Sequence, residues 1–324
     1  MFSSVKAESI LSLGEVKLIA CIKDWLREVS PPSPQGMGDD CAIIDTSQIN
    51  QQLLTTDSIS YGCHFDHTVS AKQAGAKLIN RNLSDIAAMG GHPGPALLNL
   101  LCGPNLRIDW LRDFIEGIRQ TCKIYNISLV GGDLSTLPAG QFTAALSLTG
   151  HLEGPPLLRR GAEVGDAIYV TGTLGGSIYQ KHYNFKPHLA EGQWLAQSKY
   201  CSAMMDITDG LAKDLKAIIP EGCAAYIHLD SLPISRDAHL RASESGQTAQ
   251  AHAFCDGEDY ELLFTVKKTV DLSQFTRRWT KQFPELTISK IGELRKSTTA
   301  APYINSVTKE PLPWLKAFEH LTDS

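Results

Sequence analysis

Residues 71–102 read AKQAGAKLINRNLSDIAAMGGHPGPALLNLLC, and the change of rhythm inside this stretch decides the fold class. Up to Met89 the apolar positions Leu78, Ile79, Leu83, Ile86 and Ala87 recur at the three- and four-residue spacing of one helix face. Gly90 and Gly91, with Pro93 just beyond, close that helix, because glycine takes the left-handed cap and proline cannot continue the ladder. The run PALLNLLC that follows is short, apolar and bounded by turn residues, as a buried strand is. Helix and strand in direct succession predict an α/β or α+β protein.

The same alternation recurs outward from this point. Strands are predicted at CAIID, QLLTTD, ISLVGGD and FTAALSLTGHLEG in the first half, and at DAIYVTG, SAMMDI, AAYIHLD, YELLFTV and ISKIGEL in the second. A further helix is expected from about Asp109 as N-cap, with Trp110, Leu111, Phe114, Ile115, Ile118 and Cys122 on one face. Gly, Pro and charge cluster in HLEGPPLLRRGAEVGD, which sets the expected boundary between a domain at 1–152 and a second at 153–324.

Composition narrows the function classes. The 324 residues, 43% hydrophobic and 20% charged, suffice for two domains with real cores. A net charge of −5, without a basic run interleaved with aromatics, argues against a nucleic-acid partner. Eight cysteines without a CxxC pair read as buried thiols of a reducing compartment. Glu and Lys interrupt every apolar run near the start, so neither a signal peptide nor a membrane span is expected, and a cytoplasmic enzyme or binding protein is the prior.

Against that background the acidic residues form a pattern. Asp39 and Asp40 sit in GMGDDCAII, Asp57 closes LLTTD, Asp133 closes LVGGD, and Asp206 and Asp209 belong to MMDITDG. Ligands gather at strand ends in open α/β sheets. Asp85 instead lies beside the apolar face of the first helix, where a carboxylate is costly unless bonded, paired or metal-bound. Taken singly, each is ordinary turn or cap chemistry. Jointly they can share a small volume only if a cation neutralises them, and the hard cation suited to carboxylate and hydroxyl oxygens is Mg²⁺. Mg²⁺ leans on substrate phosphates, which points to phosphoryl transfer. No Walker loop or kinase-type glycine loop is present, so the glycine turns GMGDD, VGGD and TGTLGGS are the candidate phosphate cradles.

The ordered set GMGDDCAII, TTDSISYGCHFD, NLSDIAAMGGHP, VGGD, RRGAEVGDAIYVTGTLGGS, DITDGLAKDL and DGEDYELLF resembles the thiamine-monophosphate kinase family over about residues 36 to 295. The resemblance implies the two-domain α/β architecture of the aminoimidazole-ribonucleotide synthetase-like superfamily. It further implies a homodimer in which the N-terminal sheets join, with a Mg/ATP-binding and dimerisation domain first and a domain completing the nucleotide and substrate site second. Carried over motif by motif, it places several Mg²⁺ ions at Asp40, Thr55, Thr56, Asp57, Asp85, Asp133, Asp206 and Asp209. It places ATP, the co-substrate, at Gly132, Asp133, Arg159 and Thr208, and thiamine monophosphate at His64, Glu258 and Phe318.

The chain departs from the family pattern at LSTLPAG after GGD, at Asp256 where glycine is common, and at Phe318 where tyrosine is usual. The chemistry implied is direct in-line transfer without an acid–base residue, because a phosphate monoester is already largely dianionic at neutral pH. Two other readings stay open. One is a ligase of the same superfamily, although its selenophosphate branch uses an N-terminal reactive cysteine and the first cysteine here is Cys21. The other is a non-catalytic Mg-nucleotide-binding paralogue, which the departures at LST and CDGED keep open.

Overall fold

The computed structural model describes residues 1–32, 35–37, 42, 44–49, 51–314 and 317. Asp39, Asp40, Phe318 and, within CAIID, Cys41 and Ile43 therefore lie outside the described residues, while Ala42, Ile44 and Asp45 belong to no strand. The chain divides into two compact units. The first holds residues 1–86, 91–153 and 183–185, and the second holds 87–90, 154–182 and 186–324.

Unit 1 carries helix α1 (Glu15–Leu26), strand β1 (Gln51–Ser60), α2 (Ala71–Ala88), β2 (His92–Cys102), α3 (Ile108–Tyr125), β3 (Leu129–Thr136) and β4 (Phe142–Leu152). Its four-stranded sheet runs β1-β4-β2-β3, antiparallel except for the β2–β3 pair, which α3 connects. Burial alternates along β4, with Leu146 and Leu148 buried and Ser147 exposed. Such alternation marks a sheet covered on one face only. Helix α3 covers that face through Phe114, whose ring meets Phe142 of β4 edge-on, and α2 meets it where Asp85 accepts the Thr55 hydroxyl of β1. The two helices cross at a glycine notch: a Cβ on Gly75 would lie 2.1 Å from the Phe114 carbonyl oxygen, and one on Gly117 would lie 2.0 Å from that of Lys72. Only glycine permits such backbone approach. Asp109 is not the cap but the second residue of α3, two positions past the cap, because Arg107 takes the cap position and ion-pairs with it at 2.7 Å.

Unit 2 carries β5 (Ala167–Thr171), α4 (Leu189–Ser198), β6 (Cys201–Asp206), α5 (Leu211–Ile218), β7 (Cys223–Ile227), α6 (Arg236–Ser245), α7 (Ala249–Cys255), β8 (Leu262–Val266), α8 (Leu272–Gln282), β9 (Ile288–Lys296) and β10 (Tyr303–Asn305). They build a six-stranded sheet ordered β10-β7-β9-β5-β8-β6. Every residue of β5 and β8 is buried, so both faces are covered. Phe275 and Trp279 of α8 pack on Tyr169 and Phe264 on one side. Leu211, Leu215 and Phe254 join Ile168, Val170 and Leu263 on the other.

Two expectations are corrected. VGGD is no turn but the body of β3, where a Cβ on Gly132 would come within 1.8 Å of the Leu98 carbonyl oxygen. Asp57 and Asp133 lie inside strands that continue three residues past each, because β1 stays paired with β4 to Ser60 and β3 with β2 to Thr136. Asp206 does end β6. Among the described cysteines none is disulfide-bonded; Cys102, Cys122 and Cys201 are buried, whereas Cys63 is exposed. No described helix is long and apolar enough to cross a membrane.

Candidate functional site

In unit 1 the covered and open faces of the sheet carry different candidates. Thr55 and Asp57 share the covered face of β1, since alternate strand residues point the same way. The Thr55 hydroxyl donates to the Asp85 carboxylate on α2. The Asp57 N–H donates to Asn82 Oδ1 at 3.1 Å, and its carboxylate pairs with Arg81 at 3.2 Å. Asp85, half-buried beside the core face of its helix, is thus bonded, as a carboxylate withdrawn from water needs to be. His64 follows β1: its Nδ1 accepts the Ser60 N–H at 3.1 Å, and buried Lys77 donates to its carbonyl at 2.7 Å.

Thr56 faces the open side, where its hydroxyl donates to the Leu146 carbonyl at 3.0 Å. Asp133 faces the same side, in register with exposed Asn99, and accepts the Ser135 hydroxyl at 2.7 Å. The departure at LST therefore supplies a hydroxyl to the acid beside it. A cleft of about 1500 Å³ runs over this face, lined by Ile19 and Lys23 of α1, Leu54 and Thr56 of β1, and Leu97 and Asp133. Asp57 and Asp133 belong to opposite edge strands, with two strands between, a separation of about 14 Å at the usual strand spacing. They face opposite sides as well, so unit 1 alone does not gather its acids into one volume.

In unit 2 the motifs DITD and GEDYEL are joined directly. The Glu258 N–H donates to the Thr208 carbonyl at 2.6 Å, Tyr260 N–H to Ile207 at 2.8 Å, and Ile207 N–H to Glu261 at 2.8 Å. These bonds extend the β6–β8 pairing beyond the strands. Thr208, Asp209 and Glu258 are thereby brought together. Arg159 is exposed, and the preceding Leu158 is tied to β6 through its carbonyl, which accepts the Met204 N–H at 2.9 Å.

Several contributing residues escaped the sequence reading. Asp214 of α5 accepts the N–H groups of Thr208 and Asp209 at 2.9 and 3.0 Å, fixing the DITD loop. Burial and the neighbouring Asp206 push its carboxyl up to about 7. The cue was a third acid five residues after Asp209 in DGLAKDL. Lys213 pairs with Asp209 at 2.6 Å.

TGTLGGS is also corrected as a phosphate cradle. The Gly175 N–H donates to Asp259 at 3.0 Å and the Gly176 N–H to Asp256 at 2.8 Å, so carboxylates of the same unit already occupy the turn. Asp256 is unstrained at φ −68 and also meets His252 Nδ1 at 3.0 Å. Glu261 of the same motif is buried.

The donors suit Mg²⁺ in kind, being hydroxyl and carboxylate oxygens. Among the described residues, however, no three His, Cys, Asp or Glu side chains form a closed metal cage. An open set of this kind is one that water and phosphate oxygens complete.

A family model described as AIR synthase related protein, N-terminal domain, matches residues 38–152. A curated thiamine-monophosphate kinase from Rhodopirellula baltica is 37% identical over 261 residues, covering 78% of this chain and 82% of the relative. The chain belongs to the thiamine-monophosphate kinase family. The thiamine-monophosphate kinase solved from Stenotrophomonas maltophilia K279a superposes with a TM-score of 0.75 at 27% identity, covering 93% of this chain and 98% of that one. A structure described as AaThiL complexed with AMPPCP and TMP gives a TM-score of 0.71 at 29% identity, over 96% of this chain and 98% of that one. The mixed α/β fold with two sheets is the family's.

Proposed function

We propose that this chain transfers the γ-phosphoryl group of ATP to thiamine monophosphate, yielding thiamine diphosphate and ADP. The observation that carries the reading is the bonded pair of motifs in unit 2, where Thr208, assigned to nucleotide, and Glu258, assigned to thiamine phosphate, share a backbone hydrogen bond. Family membership and a relative described with AMPPCP and TMP support it.

On this reading Thr55, Asp57 and Asp85, with Asp40, hold Mg²⁺ from unit 1, joined by Thr56 and Asp133 of the open face. Within unit 2, Asp206 and Asp209 are assigned to Mg²⁺. When bound, Mg²⁺ offsets the repulsion between the two phosphates and the charge of the transferring group. Gly132, Asp133, Arg159 and Thr208 orient ATP, while His64, Glu258 and Phe318 orient the acceptor. Unit 1 is thus assigned to Mg/ATP binding and dimerisation, and unit 2 to completing the nucleotide and substrate site. The acceptor phosphate needs no base, and the transfer is a single in-line displacement. Chiral γ-phosphate should accordingly show inversion.

A homodimer fits the open sheet face, where Leu54 is 76% and Leu97 is 46% exposed. Light scattering at twice the chain mass is the expected result. Incubation with ATP, Mg²⁺ and thiamine phosphate tests the activity. Thiamine diphosphate and ADP should appear in equal amounts; folded, ATP-binding protein that makes no thiamine diphosphate would overturn the reading in favour of a non-catalytic paralogue.

A further inference from the structure

The segment DGEDYE, residues 256–261, holds four acids in six positions. Its backbone is strained in a regular way: Glu258 lies at φ +61 and Tyr260 at φ +51. A left-handed conformation is unfavourable for a residue with a Cβ, and such strain persists only where surrounding structure over-determines it.

The over-determination is visible on both sides of the turn. Backbone bonds from Glu258 and Tyr260 to Thr208 and Ile207 hold one side. On the other, Asp259 and Glu261 are drawn inward. Lys181 Nζ stands 2.7 Å from Glu261 and 3.8 Å from Asp259. Glu261 also meets His188 Nε2 at 2.8 Å and the Thr171 hydroxyl at 2.6 Å. The Asp259 and Glu261 side chains are 0% and 6% exposed, whereas that of Glu258 is 29% exposed. Of the three, only Glu258 is open enough to meet a ligand. Its carboxylate accepts the Tyr260 hydroxyl at 3.0 Å and lies 3.7 Å from buried His182 Nδ1. Consecutive residues Lys181 and His182 thus reach all three acids.

We infer that Lys181 is a positioning residue for Glu258: by holding Asp259 and Glu261 it locks the left-handed turn and aims the Glu258 carboxylate at a cationic or amine-bearing part of the acceptor. This inference rests on the proposed function, in which the acceptor carries a thiazolium cation and an aminopyrimidine. Lys181 touches no ligand; without it, two buried carboxylates lose a counter-charge and the turn is free to relax.

Steady-state kinetics of Lys181→Met, Lys181→Arg, Glu258→Gln and the double variant K181M/E258Q tests it. K181M should raise KM for thiamine phosphate about tenfold while KM for ATP stays within about twofold, and K181R should recover most of the loss. Because both act through one carboxylate, E258Q should add little on top of K181M. Equal effects on both KM values, or full additivity, would overturn the inference. If K181M does not fold, the milder His188→Gln should show the same selective rise, and an unchanged KM for thiamine phosphate in H188Q would overturn it. If the wild type makes no thiamine diphosphate, it is the proposed function that falls. Amide exchange of Glu258 and Tyr260 then decides, with about tenfold faster exchange expected in the folded variant and unchanged exchange overturning the inference.

Discussion

Thr208 and Glu258 are tied through their backbones, the N–H of Glu258 donating to the Thr208 carbonyl at 2.6 Å. The loop assigned to nucleotide and the turn assigned to acceptor are therefore one mechanical element, and Asp214 holds it by accepting the N–H groups of Thr208 and Asp209. Loosening the DITD loop loosens the turn that hangs on it, whereas the turn has further anchors of its own in Lys181 and His188.

Asp214→Ala should accordingly raise KM for ATP and for thiamine phosphate together, by about tenfold each, as loss of a preorganised loop does. Steady-state kinetics with each substrate varied checks this, and a rise confined to one substrate would contradict the coupling.

The same residue gives a pH signature. Burial and Asp206 raise the folded Asp214 carboxyl from 3.8 to about 7, so the folded protein binds a proton that the unfolded chain has released. Its contribution is complete below about pH 4 and is lost as pH rises through about 7. Relative to Asp214→Asn, the wild type should lose on the order of 3 kcal/mol between about pH 4 and pH 8. Urea unfolding in chelator measures it; parallel stability curves would refute the assignment.

Glu261 behaves in the opposite sense. Burial disfavours its charge, but Lys181 and His188 outweigh that and hold its carboxyl down to about 2 from 4.5. The stabilisation is present above about pH 4.5 and is lost as pH falls toward about 2, on the order of 3 kcal/mol in all. The stability gap between wild type and Glu261→Gln should shrink as pH is lowered from about 5 to 3. A gap that stays constant over that range would show that the charge is not what Lys181 recognises.

Asp57→Asn keeps the shape of the β1 side chain and removes its charge. Turnover should fall at least about a hundredfold, as for loss of a group aimed at transition-state charge. Circular dichroism should remain that of the wild type, while the half-buried Arg81 pair accounts for a stability loss of about 1–2 kcal/mol. Unchanged turnover would mean that Asp57 serves only Arg81.

Gly132→Ala should force β2 and β3 apart, since its Cβ would meet the Leu98 carbonyl oxygen at 1.8 Å and the backbone cannot step aside. A destabilisation of about 2–4 kcal/mol is expected, read as a lower thermal midpoint. An unaltered midpoint would reveal slack in the β2–β3 ladder.

Periodicity carried the helix at 71–88 and most strands, because amphipathic faces print themselves on residue spacing. Strand β10 left no such print: its three residues pair with β7 only after the chain returns from β9. Glycines misled most. In VGGD and TGTLGGS they looked like cradles for a ligand, yet one pair admits the neighbouring strand and the other receives the unit's own carboxylates. Spacing records that a backbone is approached, not by what. Asp57 and Asp133 were placed together by chemistry alone; only strand order shows that two strands and a change of face separate them. Lys181 and His188 stayed hidden because their partners come from distant segments, whereas Asp214 caps its own neighbouring loop and left a local cue in DGLAKDL.

The notch where Gly75 and Gly117 meet the opposite helix backbone fixes the spacing of α2 and α3 by main chain against main chain. No side chain sets that gauge, so substitutions among the surrounding leucines and isoleucines leave it unchanged. Asp85, carried on α2 over Thr55, is therefore insulated from drift in the core. The acid's place over the sheet is set by two glycines and not by the bulk of the core.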